Sequence, residues 1–381
     1  FPQTYETIRN GHGLQFLAKT DPPTVTLPRI KAITTGSPPN FVDVALNFGS
    51  PALEEDNIVT QMKRSGREIV FFGDDTWIKL FPQHFERSDG TISFFVSDYT
   101  EVDTNVTRHL KHELSTPSWD VMILHYLGLD HIGHTAGPNS LLVRPKLKEM
   151  DNVIRQIYSA MEQWAEPSLL VVCGDHGMSD QGGHGGASAA EISVPVIFLS
   201  PHIVRKDSKH VETISQADLC PTLSVLLGLP IPKNNLGKVI TEALIGYTLP
   251  QKVSIIHQNA MLAIQILKGY VQDFEKESSY MLYSKAKHQF HGWVSARNST
   301  PKAAWEDEGH TLLTMYSESL TLLAEKVTRV STQYDVYAMA VSVALLWMLL
   351  ISLVLSHLKK NVTTRSEPLS RKASQLLIAR S

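Results

Sequence analysis

The chain has 381 residues, with 35 basic and 38 acidic side chains and a formal net charge of -3 at pH 7. This length fits one large α/β domain with additional segments, and the near-neutral charge argues against a basic nucleic-acid-binding surface, so we expect no nucleic-acid partner. The two cysteines, Cys173 and Cys220, exclude a disulfide framework, and we expect both to be small buried side chains.

Residues 22–36 predict a helix close to the start of the chain. Thr26 is typical of an N-cap, Pro28 is tolerated in the first turn, and Gly36 ends the helix. A threonine at this position faces free backbone N–H groups and the positive end of the helix dipole, which stabilise an anion or an alkoxide. A purely structural cap is the alternative, and it is the commoner role of such a threonine.

Apolar runs that alternate with amphipathic helices follow along the chain. The predicted strands are 69–72, 119–127, 169–173 and 194–199, and the predicted helices are 106–113, 147–164 and 215–227. This alternation predicts a doubly wound, mostly parallel sheet, in which the run 169–173 is a buried parallel strand. Such sheets collect their polar ligand-binding residues at the carboxyl ends of the strands.

Acid and histidine side chains follow two of these strands. Asp130 and His134 have i, i+4 spacing after the run 119–127, and Asp175, His176 and His184 follow the run 169–173. Asp-His-Gly alone also fits a turn. However, five carboxylate and imidazole groups together with Thr26 outnumber the four ligands of one tetrahedral ion, and they fit a site with two Zn²⁺ or Mn²⁺ ions. Such a pair, about 4 Å apart, suits in-line phosphoryl transfer to an activated hydroxyl.

One further histidine, His131, lies between Asp130 and His134. A ligand, a substrate contact and a surface residue are the three interpretations of its imidazole. We favour the last two over the first.

The C-terminal third of the chain differs in composition. Residues 246–335 are helix-forming and mixed in charge. Residues 336–358 contain no charged side chain, and this apolar segment is long enough to span a bilayer. The basic residues of 359–381 then predict a cytoplasmic tail and a lumenal domain over 1–245. On this topology the sequons at Asn105 and Asn298 are open to glycosylation and the one at Asn361 is not; these are the three sequons.

The chain resembles the alkaline phosphatase superfamily in its nucleotide pyrophosphatase/phosphodiesterase-like branch. More narrowly it is similar to the GPI ethanolamine phosphate transferases, and among them to the type 2 members. The similarity covers about residues 20–245 and rests on the motifs PPTVTLPRIKAITTGSPPNF (22–41), HYLGLDHIGHTAGP (125–138), CGDHGMSDQGGHGG (173–186) and QADLCPTLSVLLGLPIP (216–232).

This resemblance implies roles for the candidate residues. Thr26 matches the nucleophile; Asp130, His134 and His184 match the ligands of one metal ion, and Asp175 and His176 match ligands of a second ion that Thr26 bridges. It also implies an endoplasmic reticulum membrane protein that moves phosphoethanolamine from phosphatidylethanolamine to a mannose, expected to be the second, of the GPI precursor. A membrane partner subunit is a further expectation.

The sequence departs from the family in two ways. Family members begin with a strand whose final aspartate completes the second metal shell, and because the chain starts at Phe1 we expect this strand to be missing and activity to be impaired. They also have many membrane spans, whereas one is predicted here. Two alternatives therefore stay open: a metal-dependent phosphodiesterase that uses water, and an inactive lumenal scaffold subunit.

Overall fold

The computed structural model describes residues 1–39, 52–93, 95–205, 211–331 and 336–365. Residues 1–328 form one compact unit and residues 329–381 a second. The end of the first motif, at Asn40 and Phe41, and the basic tail beyond residue 365 lie outside the described residues.

Helices and strands alternate through the first 226 residues. The strands are β1 Gly13–Lys19, β2 Ile69–Asp74, β3 Arg87–Thr91, β4 Val121–His125, β5 Leu170–Cys173, β6 Ser193–Leu199 and β7 Glu212–Ser215. The helices in this region are α1 Pro2–Thr7, α2 Thr26–Thr35, α3 Ile58–Arg64, α4 Thr76–Leu80, α5 Glu101–Ser115, α6 Gly128–Ala136, α7 Val143–Met161 and α8 Leu219–Leu226. The predicted α/β class is confirmed.

The described strands form two sheets. One is wholly parallel, in the order β3-β2-β4, and the other has the order β5-β6-β1-β7. In the second sheet β6 runs antiparallel to both of its neighbours, whereas β1 and β7 are parallel. The prediction of a mostly parallel sheet therefore holds fully for the first sheet and only in part for the second.

Strand β5 differs from its prediction in its pairing and in burial. It runs in the same direction as β1 and β7, but its partner among the described strands is the antiparallel β6, and its residues are half-buried or, at Cys173, exposed. An apolar run does not specify which strand it pairs with, so neither feature was readable from the sequence. The expected burial of Cys173 is therefore wrong, and that of Cys220 is confirmed.

Strands β4 and β5 each have one unpaired edge among the described residues. Strand β4 pairs with β2 alone and β5 with β6 alone, and all five residues of β4 are only half-buried, whereas those of β2 are fully buried. Side chains of both strands, Leu124 and Leu170 among them, pack on one hydrophobic cluster with Leu110 and Ile157. Both strands also lead at their carboxyl ends into the acid-histidine loops.

Three long helices follow the sheets: α9 Leu249–Tyr270, α10 Ser278–Ser295 and α11 Lys302–Ser331. They share a hydrophobic core that includes Ile256 and Tyr316. The indoles of Trp293 and Trp305 stack there at 4.4 Å, and each indole N–H donates to the other residue's backbone carbonyl. The boundary predicted near residue 245 stays a prediction.

The last described element is helix α12, Val336–Arg365. Its segment Tyr337–Lys359 is long and apolar enough to cross a membrane, and it is the one such segment within the described residues. The structure contains no bilayer, so the predicted span rests on length and composition.

Candidate metal centre and nucleophile

Helix α6 places Asp130 and His134 on one face, as their spacing predicts. Their Oδ2 and Nε2 atoms lie 3.4 Å apart. The helix begins directly after β4, and the buried carboxylate of Asp103 on α5 accepts hydrogen bonds from the backbone N–H groups of Leu127 and Gly128. This anchor fixes the start of the helix that carries both ligand candidates.

The third member of the cluster, His184, comes from the loop after β5. Its Nε2 lies 3.0 Å from Nε2 of His134 and 3.7 Å from Oδ1 of Asp130. Its Nδ1 lies 2.8 Å from the backbone carbonyl of Thr24. Because a carbonyl only accepts, Nδ1 carries the proton, and the Nε2 lone pair faces the cluster.

These three side chains have the geometry of a metal centre. Their ligand atoms all lie within 4.8 Å of one another. Ligands of a tetrahedral zinc at 2.0–2.1 Å stand about 3.3 Å apart, close to the distances within this group. Oδ1 of Asp130 is buried without a hydrogen-bond partner in the described residues, as expected of an oxygen that coordinates a cation.

Asp175 and His176 extend the cluster. The ring of His176 stacks on that of His184 at 3.8 Å, and its Nε2 lies 3.3 Å from Oδ2 of Asp175. Nδ1 of His176 donates to the carbonyl of Gly177, which again leaves Nε2 available as a ligand. The structure therefore brings all five predicted ligands into one neighbourhood.

The pKa shifts favour metal-binding protonation states at neutral pH. Burial, with the neighbouring imidazole of His176, lowers the pKa of His184, although the carboxylate of Asp130 opposes this. Burial raises the pKa of Asp175, but the imidazoles of His176 and His125 outweigh it and the net pKa is lowered. A neutral imidazole beside an ionised carboxylate is the ligand set that a divalent cation requires.

Thr26 is the first residue of α2, and Val25 is the N-cap. The predicted cap position is thus wrong by one residue, because Val25 keeps extended φ and ψ angles (-124° and 146°). Gly36 ends the helix with left-handed angles, as predicted. Thr26 still lies at the helix N-terminus, where Pro28 has no N–H and the first backbone donors are free to face an anion.

The interpretation of His131 as a substrate contact or a surface residue does not agree with its position in the structure. It is buried, and its Nδ1 lies 2.5 Å from the backbone carbonyl of Asp98. It fastens the loop before α5 to α6. One residue after Asp130, it is turned by about 100° around the helix and is not a member of the group formed by Asp130, His134 and His184.

Two residues that hold the site in place were not predicted from the sequence. Buried Thr24 accepts a hydrogen bond from N–H of Gly185 and donates to the carbonyl of Gly186, while Glu191 accepts from N–H of Gly186. Together they tie the segment before Thr26 to the loop of His184. A threonine two residues before a helix and a lone glutamate carry no sequence signal of such a role.

Comparisons with known proteins agree with this site. A profile of the family described as type I phosphodiesterase / nucleotide pyrophosphatase matches residues 76–187, which include all five ligand candidates. GPI ethanolamine phosphate transferase 2, catalytic subunit, of Homo sapiens is 42% identical over 362 residues, covering 93% of this chain and 37% of that protein. The Aspergillus fumigatus GPI ethanolamine phosphate transferase 2 is 44% identical over 320 residues, covering 79% and 42%.

Over the matched residues the chain is homologous to GPI ethanolamine phosphate transferases. It spans less than half the length of these curated relatives. Among solved structures, a protein in the alkaline phosphatase superfamily from Vibrio parahaemolyticus matches with a TM-score of 0.44 and 18% identity, covering 63% of each chain.

Proposed function

We propose that this chain transfers phosphoethanolamine from phosphatidylethanolamine to a mannose, the second, of a GPI precursor. The observation that carries the proposal is the convergence of five candidate ligands near the segment that leads into the helix starting with Thr26. Its relatives at 42–44% identity are named for this activity. Donor and acceptor are both lipids, which suits a chain with one apolar helix and a place in the endoplasmic reticulum membrane.

Asp130, His134 and His184 would hold one divalent ion, and Asp175 and His176 would hold a second together with Thr26. Zn²⁺ and Mn²⁺ both suit this set of oxygen and nitrogen donors. Bound there, the ions would supply the Lewis acidity that lowers the pKa of the threonine hydroxyl and neutralises phosphoryl oxygens. Thr24 and Glu191 hold the loop that carries His184.

The chemistry proceeds in two displacements. Oγ1 of Thr26 attacks phosphorus, the bond from phosphorus to the diacylglycerol oxygen breaks, and diacylglycerol leaves with a proton. The resulting phosphoethanolaminyl-Thr26 is attacked by a mannose hydroxyl, and the bond between phosphorus and Oγ1 breaks. The backbone N–H groups at the start of α2 orient and stabilise the anionic phosphate in both steps.

The test is covalent labelling of the protein in microsomes with ethanolamine-labelled phosphatidylethanolamine. We expect metal-dependent label that is retained in Thr26→Ser and lost in Thr26→Ala. Asp130→Asn should lose label together with bound metal. Label that persists in Thr26→Ala would refute the assignment of the nucleophile.

The same experiment separates the alternatives. Release of free phosphoethanolamine with no transfer to a mannolipid acceptor would favour a phosphodiesterase. Metal binding without label would favour a scaffold subunit.

A further inference from the structure

Gln216 connects two parts of the site that the chain places far apart in sequence. It begins the short 3-10 turn Gln216–Asp218 and is almost completely buried. Its Nε2 donates to the backbone carbonyls of Gly174 and Asp175, at 2.9 and 2.6 Å. Its Oε1 accepts from Nη1 of Arg29, at 3.2 Å. One amide group therefore bridges the metal-ligand loop and helix α2.

The main chain at Gln216 is itself held rigidly. The hydroxyl of Ser215 accepts from N–H of Ala217, and the carboxylate of Asp218 accepts from N–H of Ser215 and of Lys238. A capping box of this kind satisfies backbone donors reciprocally and fixes the direction in which the chain enters the turn. The Gln216 side chain thus extends from a fixed base.

Arg29 gives the bridge its second end. It lies one helical turn after Thr26, so the two residues occupy the same side of α2. Its guanidinium is 1% exposed, and Nε and Nη2 have no hydrogen-bond partner among the described residues. Burial lowers its pKa to about 10, while the carboxylates of Asp21 and Asp175 oppose the shift.

Burying a guanidinium with unpaired donors costs stability, and a shorter apolar side chain would avoid that cost. The position of Arg29 is explained if its contact with Gln216 serves the geometry of the site. A glutamine suits the bridge because its amide accepts with one atom and donates with the other. Glutamate, methionine and leucine each lack at least one of these capacities.

We propose that Gln216 is a positioning residue that sets the separation between the N-terminus of α2 and the Asp175–His176 loop. It acts through Arg29 on the helix and through two carbonyls on the loop. The proposal rests on the proposed function, in which Thr26 is the nucleophile and Asp175 and His176 are ligands. Movement of either element alters both metal binding and attack by Thr26.

The test compares Gln216→Met and Gln216→Glu with the full chain in detergent. Gln216→Met removes all three hydrogen bonds, whereas Gln216→Glu keeps the acceptor for Arg29 and loses both donors. Asn57→Ala is the matched control: Asn57 is a buried amide whose partners, Thr60 N–H and the Glu55 carbonyl, lie outside the metal loops. The measurements are Zn²⁺ affinity by competition with a chelator, the thermal midpoint, and the rate of Thr26 labelling.

We expect both Gln216 variants to bind Zn²⁺ about 10- to 100-fold more weakly, the range for residues that orient metal ligands. Their labelling rate should fall at saturating Zn²⁺ and donor, because misplacement of Thr26 lowers kcat rather than raising KM alone. Asn57→Ala should lower the thermal midpoint and leave Zn²⁺ affinity unchanged.

Zn²⁺ affinity in Gln216→Met equal to that of the parent chain, or a loss matched by Asn57→Ala, would overturn the proposal. Its failure is distinguishable from failure of the proposed function. A parent chain that binds Zn²⁺ but takes no label would refute the transferase, while the comparison of Zn²⁺ affinities would still decide the role of Gln216.

Discussion

Thr24 shows how a single residue couples the segment before Thr26 to the loop of His184. Its hydroxyl accepts from Gly185 at 2.8 Å and donates to Gly186 at 2.9 Å, and its carbonyl accepts from His184. One residue, Val25, separates it from Thr26. A hydroxyl that both donates and accepts in a buried place is hard to replace, because its loss leaves an N–H and a carbonyl unpaired.

Thr24→Val tests this coupling with little change in shape. We expect a loss of about 2 kcal/mol in the free energy of unfolding, from two hydrogen bonds at about 1 kcal/mol each, and weaker Zn²⁺ binding. Thr222→Val is the matched control, because the buried Thr222 hydroxyl also donates once, to Asp218, and accepts once, from Ile240. Equal stability losses with equal Zn²⁺ affinity would contradict the role of Thr24.

His184 gives the site a defined response to acid. Its pKa is lowered in the folded chain by burial and by His176. The unfolded state therefore binds its proton more readily, and stability is lost as the pH falls below the usual histidine pKa of about 6.5. We expect the metal-free parent chain to lose stability between neutral pH and pH 5 more steeply than His184→Gln, measured by urea unfolding in chelator. Identical pH profiles would refute this.

At the scale of the element, helix α6 depends on a buried ion pair. The carboxylate of Asp103 receives two backbone N–H groups at the helix start and lies 3.1 Å from Nζ of Lys146 on α7. A negative charge placed at a helix N-terminus also interacts favourably with the helix dipole. The orientation of Asp130 and His134 therefore depends on two neighbouring helices.

Asp103→Ala should cost about 3 kcal/mol of unfolding free energy, because it leaves a buried ammonium without its closest buried partner. Glu149→Ala removes the other, half-exposed carboxylate near Lys146 and should cost no more than about 1 kcal/mol. Chemical denaturation of both variants gives the comparison. A larger loss in Glu149→Ala would show that the exposed pair is the anchor.

The sequence predicts elements better than it predicts their partners. Strands β2, β4 and β6 follow from continuous apolar runs of strand length, although β2 alone of the three is fully buried. Strand β1, at the centre of the mixed sheet, was missed, since its polar ends and short apolar core resemble a loop. The antiparallel direction of β6, and hence the antiparallel pairing of β5, was missed because hydrogen-bond pairing is decided by tertiary contacts.

The candidate site follows the same division. The convergence of five side chains was predictable because acids and histidines that follow strands meet at the carboxyl edge of a sheet; these are Asp130, His134, Asp175, His176 and His184. The neighbours that hold them, Thr24, Asp103 and Gln216, use backbone contacts that many residues make. The burial of His131 depends on which side of α6 faces the loop before α5, and residue spacing alone does not give that side.

At the scale of the whole molecule, the edges of β4 and β5 that have no partner among the described strands share one hydrophobic cluster, and both strands lead to one site. A further apolar strand parallel to both could pair with these two edges, and its carboxyl end would then lie at the same side as Asp175. Edge strands with apolar side chains otherwise favour association with other chains.

Extending the chain at its N-terminus with an apolar strand that ends in aspartate should raise the thermal midpoint and reduce binding of a hydrophobic dye. The same extension with two prolines in the strand cannot donate its ladder hydrogen bonds and serves as the control. An unchanged thermal midpoint and unchanged dye binding for the apolar extension would mean that the edges of β4 and β5 do not accept a further strand.

The predicted topology is testable through the three sequons. Asn298 is exposed in the turn after α10, and Asn361 lies in α12 beyond the apolar segment. If residues before 336 are lumenal, glycosidase treatment should reveal glycan at Asn298, and Asn298→Gln should lose that mobility shift. Glycan at Asn361 would show that the chain crosses the membrane in the opposite orientation to the one predicted.

The paired indoles of Trp293 and Trp305 provide an optical reporter of the C-terminal helices. The two indole rings are stacked with their centroids 4.4 Å apart and 10° between their planes, close enough for their electronic transitions to couple, and the circular dichroism of the pair depends on this geometry. Separation of α10 from α11 would abolish the coupled signal, even where helix content is unchanged. Opening of these helices can thus be followed separately from their unfolding, in the same sample.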